Sequence, residues 1–307
     1  MTLQQLEYVL AVADHGHFTK AAESCGITQS TLSAMLHKLE DELDLEIFDR
    51  SSHPVRPTVS GQAVVEQART VVCEARKLME TTLNEGKRQT GTIRIAFAPT
   101  IAPYLVPQMI HELAHRPGLD FRASEVNRDN IIRQLLNGEL DMGVCSIPHQ
   151  VPGLLEIPLY QERLLLYVSE TDPLFKEKVM NLDTLPFDRL WSIHNEYSFA
   201  SDVFDNYAYQ YARVARYSSG NIATLLHIVN LNDGFTILPE LHLKMLRPED
   251  VNKTRTMNPD VKRQVSIFVR QDYVREGLIN LIVDTIKQMI PAEMLDSHIA
   301  QYPVRLR

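Results

Sequence analysis

The sequence predicts an α/β protein in three parts: an N-terminal winged helix-turn-helix, a long linker helix, and a larger α/β domain in two subdomains. Three observations lead there. Residues 18–43 read as two amphipathic helices joined by a sharp turn, residues 58–88 carry an apolar seam free of proline, and from Thr92 onward strand and helix patterns alternate.

Thr2 to Asp14 is the first helix, with Leu3, Leu6, Leu10 and Ala13 on one stripe. Phe18, Ala21, Ala22 and Cys25 fall at i, i+3, i+4 and i+7, and Gly26 supplies the left-handed residue that ends the second helix. Ile27 plugs the turn. Thr28 stands at the N-cap of a third helix whose Leu32, Leu36, Leu39 and Leu43 face inward. Gln29, Ser30, Thr31, Ser33, His37 and Lys38 lie elsewhere on that cylinder, where a helix-turn-helix meets a DNA major groove. Gln29, Ser30 and Ser33 suit base edges, Gln pairing well with adenine, and Lys38 suits the phosphate backbone. Leu45–Arg50 and Val55–Thr58 then form the strands of a wing around a Ser51–Pro54 turn, with Arg50 and Arg56 placed to hold phosphate or reach a minor groove. By itself the 18–43 stretch is also compatible with an ordinary αα-corner; the wing decides for DNA.

The helix from Thr58 to about Arg88 repeats Val64, Ala68, Val71, Ala75, Leu78 and Thr82 at spacings of four and three, with Val65, Val72 and Met79 as a second row. So long a helix needs a partner along its length, and the seam of Val64, Ala68, Val71, Ala75 and Leu78 is expected to dimerise; packing on its own chain is the alternative. Two heads on paired linkers read two half-sites of an interrupted palindrome. The polar stretch Asn84 to Gly91 marks the boundary, which gives a winged domain at 1–58, a linker at 59–90 and a third domain at 91–307.

Bulk properties fit a protein of the cytoplasm. The chain has 307 residues, 44% of them hydrophobic, and a net charge of −8. Its N-terminus lacks a secretion signal, and no stretch approaches the length of a membrane span. Three cysteines, Cys25, Cys73 and Cys145, at wide spacings argue against a disulfide framework or zinc site, and each is expected to be a buried small hydrophobe. His15 and His17 are expected to cap or face solvent and not to bind metal. Residues 1–60 hold four Lys/Arg against nine Asp/Glu, which is unusual for a DNA binder. Phosphate neutralisation supplies most non-specific affinity, so one copy should bind weakly and depend on oligomerisation. The cluster Glu40, Asp41, Glu42, Asp44 and Glu46 is expected to lie on a face away from DNA.

In the third domain Thr92–Ala98, Leu119–Val126 and Leu140–Val144 read as strands, with helices beginning near Ala102 and at Asp129 and a stop at Gly138. Leu164–Ser169 opens a further strand, Val265–Arg270 is a returning one, and Glu276–Ile290 is the last helix. The chain therefore crosses twice between subdomains, one at about 92–163 and 268–300, the other at about 164–267. Ligands of open α/β sheets sit off the carboxyl ends of strands beside helix N-termini, whose amides favour anions. Thr100, Arg128, Ser146 and Arg270 are the candidates for one effector cleft, each with a local alternative as a turn residue or solvated charge.

The stretch LEYVLAVADHGHFTKAAESCGITQSTLSAMLHKLEDELDLEIFDR resembles the DNA-binding head of LysR-type transcriptional regulators almost position by position. The resemblance implies a regulatory domain similar to periplasmic solute-binding proteins, a homodimer or homotetramer on double-stranded DNA, contact with RNA polymerase, a small-molecule effector and no cofactor. In HIVNLNDGFTILPE, Asn232 stands where the family has glycine; Asn tolerates positive φ, so the turn is expected to survive. RIAFAPTIAPYLVPQMI and the NGELD turn are most similar to the peroxide-sensing branch of the family. There a reactive cysteine lies in a Gly-His-Cys-Phe-Arg-Asp stretch with a resolving cysteine nine residues later. Here that stretch reads Glu196-Tyr197-Ser198-Phe199-Ala200-Ser201 and the later position is Tyr207. By the same resemblance Arg128 replaces a peroxide-binding threonine, Tyr197 a histidine and Ser201 an aspartate, while Thr100 and Arg270 match.

A hydroxyl cannot replace a thiolate as a nucleophile toward peroxide or close a disulfide. The expectation is either a small anion held by Arg128 and Arg270, with Tyr197 and Ser198 lining the same cleft, or a protein that mimics one fixed state of the sensor. Three other readings are weaker. A peroxide response through another cysteine, such as Cys145, lacks a basic neighbour to raise thiolate. A solute-binding protein leaves the first ninety residues unexplained. An enzyme built on His194 and Ser198 lacks a nucleophile elbow and a third orienting residue, so no catalytic residue is assigned.

Overall fold

The computed structural model describes residues 1–83, 89–147, 150–191, 221–273, 275–297 and 304. Two compact units result, one holding Met1–Glu85 with Asn137–Glu139 and the other Gly86–Leu136 with Leu140–Arg307.

In the first unit, α1 (Leu3–His15) opens with a capping box in which Thr2 accepts from the Gln5 amide and the Gln5 side chain accepts from the Thr2 amide. α2 (Phe18–Ser24) starts at His17, whose Nδ1 accepts from the Thr19 amide, and stops before Gly26 at φ +68°. α3 (Gln29–Leu43) follows the Thr28 cap and ends at Asp44, a non-glycine residue in the left-handed region. The wing is β1 (Phe48–Asp49) antiparallel to β2 (Arg56–Pro57), a shorter ladder than the sequence suggests. α4 (Val59–Leu83) then leaves the wing; Thr58 Oγ1 accepts from the Gly61 amide. A Cβ at Gly61 would stand 1.9 Å from the Ile47 carbonyl oxygen, so only glycine lets the helix pass so close to the wing. One core holds the unit together, with Val9, Val12, Leu32, Leu36, Leu39 and Phe48 among its buried members.

The second unit is built on β3 (Gly91–Phe97), α5 (Ala102–Leu113), β4 (Leu119–Glu125), α6 (Arg128–Leu136), β5 (Met142–Cys145), β6 (Leu154–Val168), β7 (Val179–Asn181), α7 (Ile222–Leu231), β8 (Phe235–Pro239), β9 (Thr254–Asn258), β10 (Lys262–Arg270) and α8 (Glu276–Lys287). The sheet order is β4-β3-β5-β10-β6-β9-β7, with β8 also paired to β6. β3 runs parallel to β4 and β5, as βαβ units require, while β10 is antiparallel to β5 and β6. Two hydrophobic cores result. One gathers residues from Ile93 to Tyr160 with Leu241, Val265–Ile290 and Val304, the other residues from Leu164 to Val261.

Three expectations change here. The strand expected to open at Leu164 is the second half of one fifteen-residue strand, β6, which passes from the first core into the second. Pro158 and the polar Gln161-Glu162-Arg163 break the apolar alternation and hide that continuity; a register shift opposite Val265/Ser266 absorbs the irregularity. Asn232 is extended (φ −128°), its Nδ2 donating to the Ile228 carbonyl at 2.7 Å, and Gly234 at φ +96° makes the turn instead. Of the cysteines only Cys145 is buried; Cys25 and Cys73 are half-buried. Among the described residues no helix is long and apolar enough to cross a membrane.

Candidate nucleic-acid interface and effector cleft

The Thr28 hydroxyl caps α3 by accepting from the Thr31 amide at 3.2 Å, and lies 3.0 Å from Ser30 Oγ and 2.8 Å from Thr31 Oγ1. Leu32, Leu36 and Leu39 are fully buried. On the remaining surface Gln29, Ser30, Thr31, His37 and Lys38 are exposed and Ser33 is half-buried. Gln29 Oε1 accepts from Thr19 Oγ1 at 2.9 Å.

Arg50 and Arg56 are exposed on the wing. Arg50 is not a solvated arginine waiting for phosphate: it donates to Glu40 Oε2 at 2.8 Å and to Ser33 Oγ at 3.2 Å, and its guanidinium stands 5.2 Å from the Phe18 ring centroid. Glu40 is buried and also accepts from the Ile47 amide at 2.8 Å and the Phe48 amide at 3.4 Å. The expected outward acidic cluster therefore splits. Glu40 ties the wing to the reading helix, Asp44 ends that helix, and Asp41, Glu42 and Glu46 stay exposed. Sequence reading missed Glu40 because its partners are the wing's amides, which no helical periodicity indicates. His17 acts as a cap, as expected.

On α4 the two apolar rows divide. Val65, Ala68 and Val72 are buried against the head's own core, Val64 and Ala75 are half-buried, and Val71 (38%) and Leu78 (70%) are exposed. Ala68, expected on the dimer seam, is 2% exposed and so cannot face a second chain. At 100° per residue it lies between the two rows, and the head takes it.

In the second unit Thr100 follows β3 and is buried. Its Oγ1 accepts from Arg263 Nη1 at 2.8 Å and its carbonyl from Nη2 at 3.0 Å. Arg263 also donates to Glu162 Oε1 through Nε (2.9 Å) and Nη2 (2.7 Å), while Glu162 Oε2 accepts from the Leu241 amide. The Tyr104 hydroxyl on α5 is hydrogen-bonded to His242 Nδ1 at 2.7 Å, with the rings edge to face. Burial lowers the His242 pKa to about 4 and raises that of Tyr104, so near neutral pH the imidazole is neutral and the phenol protonated.

Arg270 does not join that cluster. Because β10 is antiparallel to β5, its carboxyl end lies where β5 begins: Ser266 faces Cys145 at the end of β5, whereas Arg270 faces Leu154 and pairs with Asp272 at 3.1 Å. The arginine that reaches Thr100 is Arg263, at the other end of the same strand. Arg128 opens α6, its Nε 3.5 Å from Asp129 Oδ1, and Asn127 rather than a hydroxyl residue accepts from the Asn130 amide there. Ser146 is half-buried just after β5. Tyr197 and Ser198, with His194 and Tyr207, lie outside the described residues. Gln161, Arg163 and Lys262 alternate with Glu162 and Arg263 along their strands and line a separate polar pocket of about 510 Å³, in which Arg163 holds the Glu240 carboxyl below its usual pKa.

Comparison with known proteins places both units. Residues 3–62 match the family described as bacterial regulatory helix-turn-helix protein, lysR family, and residues 86–291 match the LysR substrate binding domain. The chain is 33% identical over 246 residues to a hydrogen peroxide-inducible genes activator of Haemophilus influenzae, covering 78% of this chain and 81% of that protein. A protein of the same description from Pectobacterium carotovorum is 30% identical over 299 residues, 96% of this chain and 98% of that one. Among solved structures, a full-length OxyR variant from Pseudomonas aeruginosa superposes with a TM-score of 0.77 at 28% identity, covering 97% of this chain and 98% of that one. The exposed polar face of α3, the wing and the domain that follows thus have their counterparts in one family: the chain belongs to the LysR family of DNA-binding transcriptional regulators, a helix-turn-helix head joined to an effector-binding domain.

Proposed function

We propose that the chain binds an interrupted palindrome in duplex DNA as a dimer of dimers, from the cytoplasm, with Gln29, Ser30 and Ser33 at base edges and Thr31, His37, Lys38, Arg50 and Arg56 on the backbone. The observation that carries this is the α3 surface, where the leucines are buried and the polar side chains are exposed together beside the wing. Val71 and Leu78, with Val64 and Ala75 at its margin, form the dimer face of the linker helix. The domain boundaries at residues 58 and 90, and the subdomain division near 163 and 267, follow the sequence reading.

The effector is a small anion, taken near Thr100, Arg128 and Ser146 with Tyr197 and Ser198, and its binding changes how the paired heads meet DNA and RNA polymerase. The protein acts by binding, without catalysis. The curated relatives are named for induction by hydrogen peroxide. Ser198 and Tyr207 stand where the peroxide-sensing branch keeps its thiols, and Cys145 is buried, so switching by a cysteine disulfide is not the mechanism here. Selection of bound sequences from a random DNA pool, with and without a panel of small anions, tests both halves. The expected outcome is a dyad-symmetric site whose footprint shifts with an anion and not with peroxide. A reversible peroxide-induced shift would overturn the effector assignment, and recovery of asymmetric sequences would overturn the dimeric reading.

A further inference from the structure

We propose that Thr19, on the helix that precedes the reading helix, is a positioning residue for base recognition: it holds Gln29 extended toward the groove, and discrimination at the base pair Gln29 reads depends on it. The proposal rests on the reading of α3 as the groove-facing helix.

The polar groups of that face are not free rotors. Ser30 and Thr31 approach the hydroxyl of their own cap, Thr28, within one helical turn, and Ser33 accepts from Arg50 of the wing. Gln29 is the longest of these candidate base readers and the first residue of α3, with three side-chain torsions to fix. Its side-chain anchor among the described residues comes from a different helix, Thr19 Oγ1 donating to Gln29 Oε1 at 2.9 Å. Thr19 is suited to hold it. It is β-branched, with restricted χ1, it is half-buried, and its own amide donates to His17 Nδ1 at 3.2 Å in the first turn of α2. The bond leaves both N–H donors of the Gln29 amide, and a second lone pair on Oε1, for a base edge. A side chain ordered before DNA arrives loses less entropy on reaching its base, and that saving is realised only where the geometry matches.

The test uses the full-length protein and duplexes that carry the selected site, varied one base pair at a time within a half-site. Four variants are compared with the unchanged protein: Q29A, T19V, which keeps shape and branching but loses the hydroxyl, T19S, which keeps the hydroxyl, and Q29A/T19V. Q29A is expected to lose about tenfold discrimination at one base pair per half-site. T19V should lose about two- to tenfold at that same base pair and none elsewhere, with T19S restoring it and the double variant no worse than Q29A. If T19V weakens all duplexes equally, Thr19 is a backbone contact or a fold residue and the proposal is wrong; unchanged thermal unfolding of T19V separates those two. If Q29A loses discrimination and T19V does not, this proposal alone falls. If Q29A changes nothing at any base pair, the assignment of Gln29 to base reading falls, and the proposal with it.

Discussion

Two arginine–glutamate pairs, one in each unit, show the same chemistry in opposite settings. Arg50 meets Glu40 at 2.8 Å and Arg263 meets Glu162 at 2.7 Å, and both carboxylates are buried and further bonded to backbone amides. The arginines differ. The Arg50 side chain is 34% exposed, and that of Arg263 only 3%. Arg50 keeps a solvent-facing side that can meet phosphate while its other side braces the wing. Arg263 spends its donors on Glu162 and on both oxygens of Thr100, which leaves it to an effector only if the second unit opens. The same pairing thus leaves the arginine partly open to solvent in one unit and encloses it in the other.

Breaking the buried pair should have the largest effect. R263A strands a buried carboxylate and should cost about 3–5 kcal/mol, read as a fall in the urea midpoint of full-length protein, while R263M/E162L should recover most of it. A loss below about 1 kcal/mol would mean that Glu162 is not held as the hydrogen bonds indicate.

His242 sharpens the same contrast through pH. Its folded pKa near 4 lies below the ordinary 6.5, so between those values the unfolded chain binds more protons and stability rises with pH. The contribution is complete above pH 6.5 and disappears as pH falls toward 4, amounting at most to about 3 kcal/mol. H242Q should flatten the stability profile in that window; an unchanged profile would show that the imidazole is not buried against Tyr104.

The pair with the partly exposed arginine should respond least. R50A leaves Glu40 its two amide donors and should cost about 1 kcal/mol in stability. Its larger signature is in DNA binding, where the slope of log affinity against log salt should fall by about one if Arg50 also reaches a phosphate. An unchanged slope would make Arg50 a brace alone.

The first unit was legible because its information is local. Thr28, Gly26 and the leucines at 32, 36 and 39 act within a turn or two of themselves, and each does what its spacing implies. What failed depended on distant partners or on strand direction. Glu40 looked like one more surface acid until the wing's amides came beside it. Arg270 looked like a cleft residue because it ends a strand, but that strand runs antiparallel to its neighbours, and the end that meets Thr100 belongs to Arg263. Ala68 satisfied a heptad pattern that the head and a partner both could use, and the head takes it. Asn232 was expected to replace a glycine that the turn already has at 234.

The most direct test of the whole account is sedimentation of the full-length protein with a duplex carrying its selected site and with a scrambled duplex of equal length. At moderate salt the account requires two or more chains on the dyad-symmetric duplex and little complex on the scrambled one. A single chain per duplex, or equal binding to both, would contradict it.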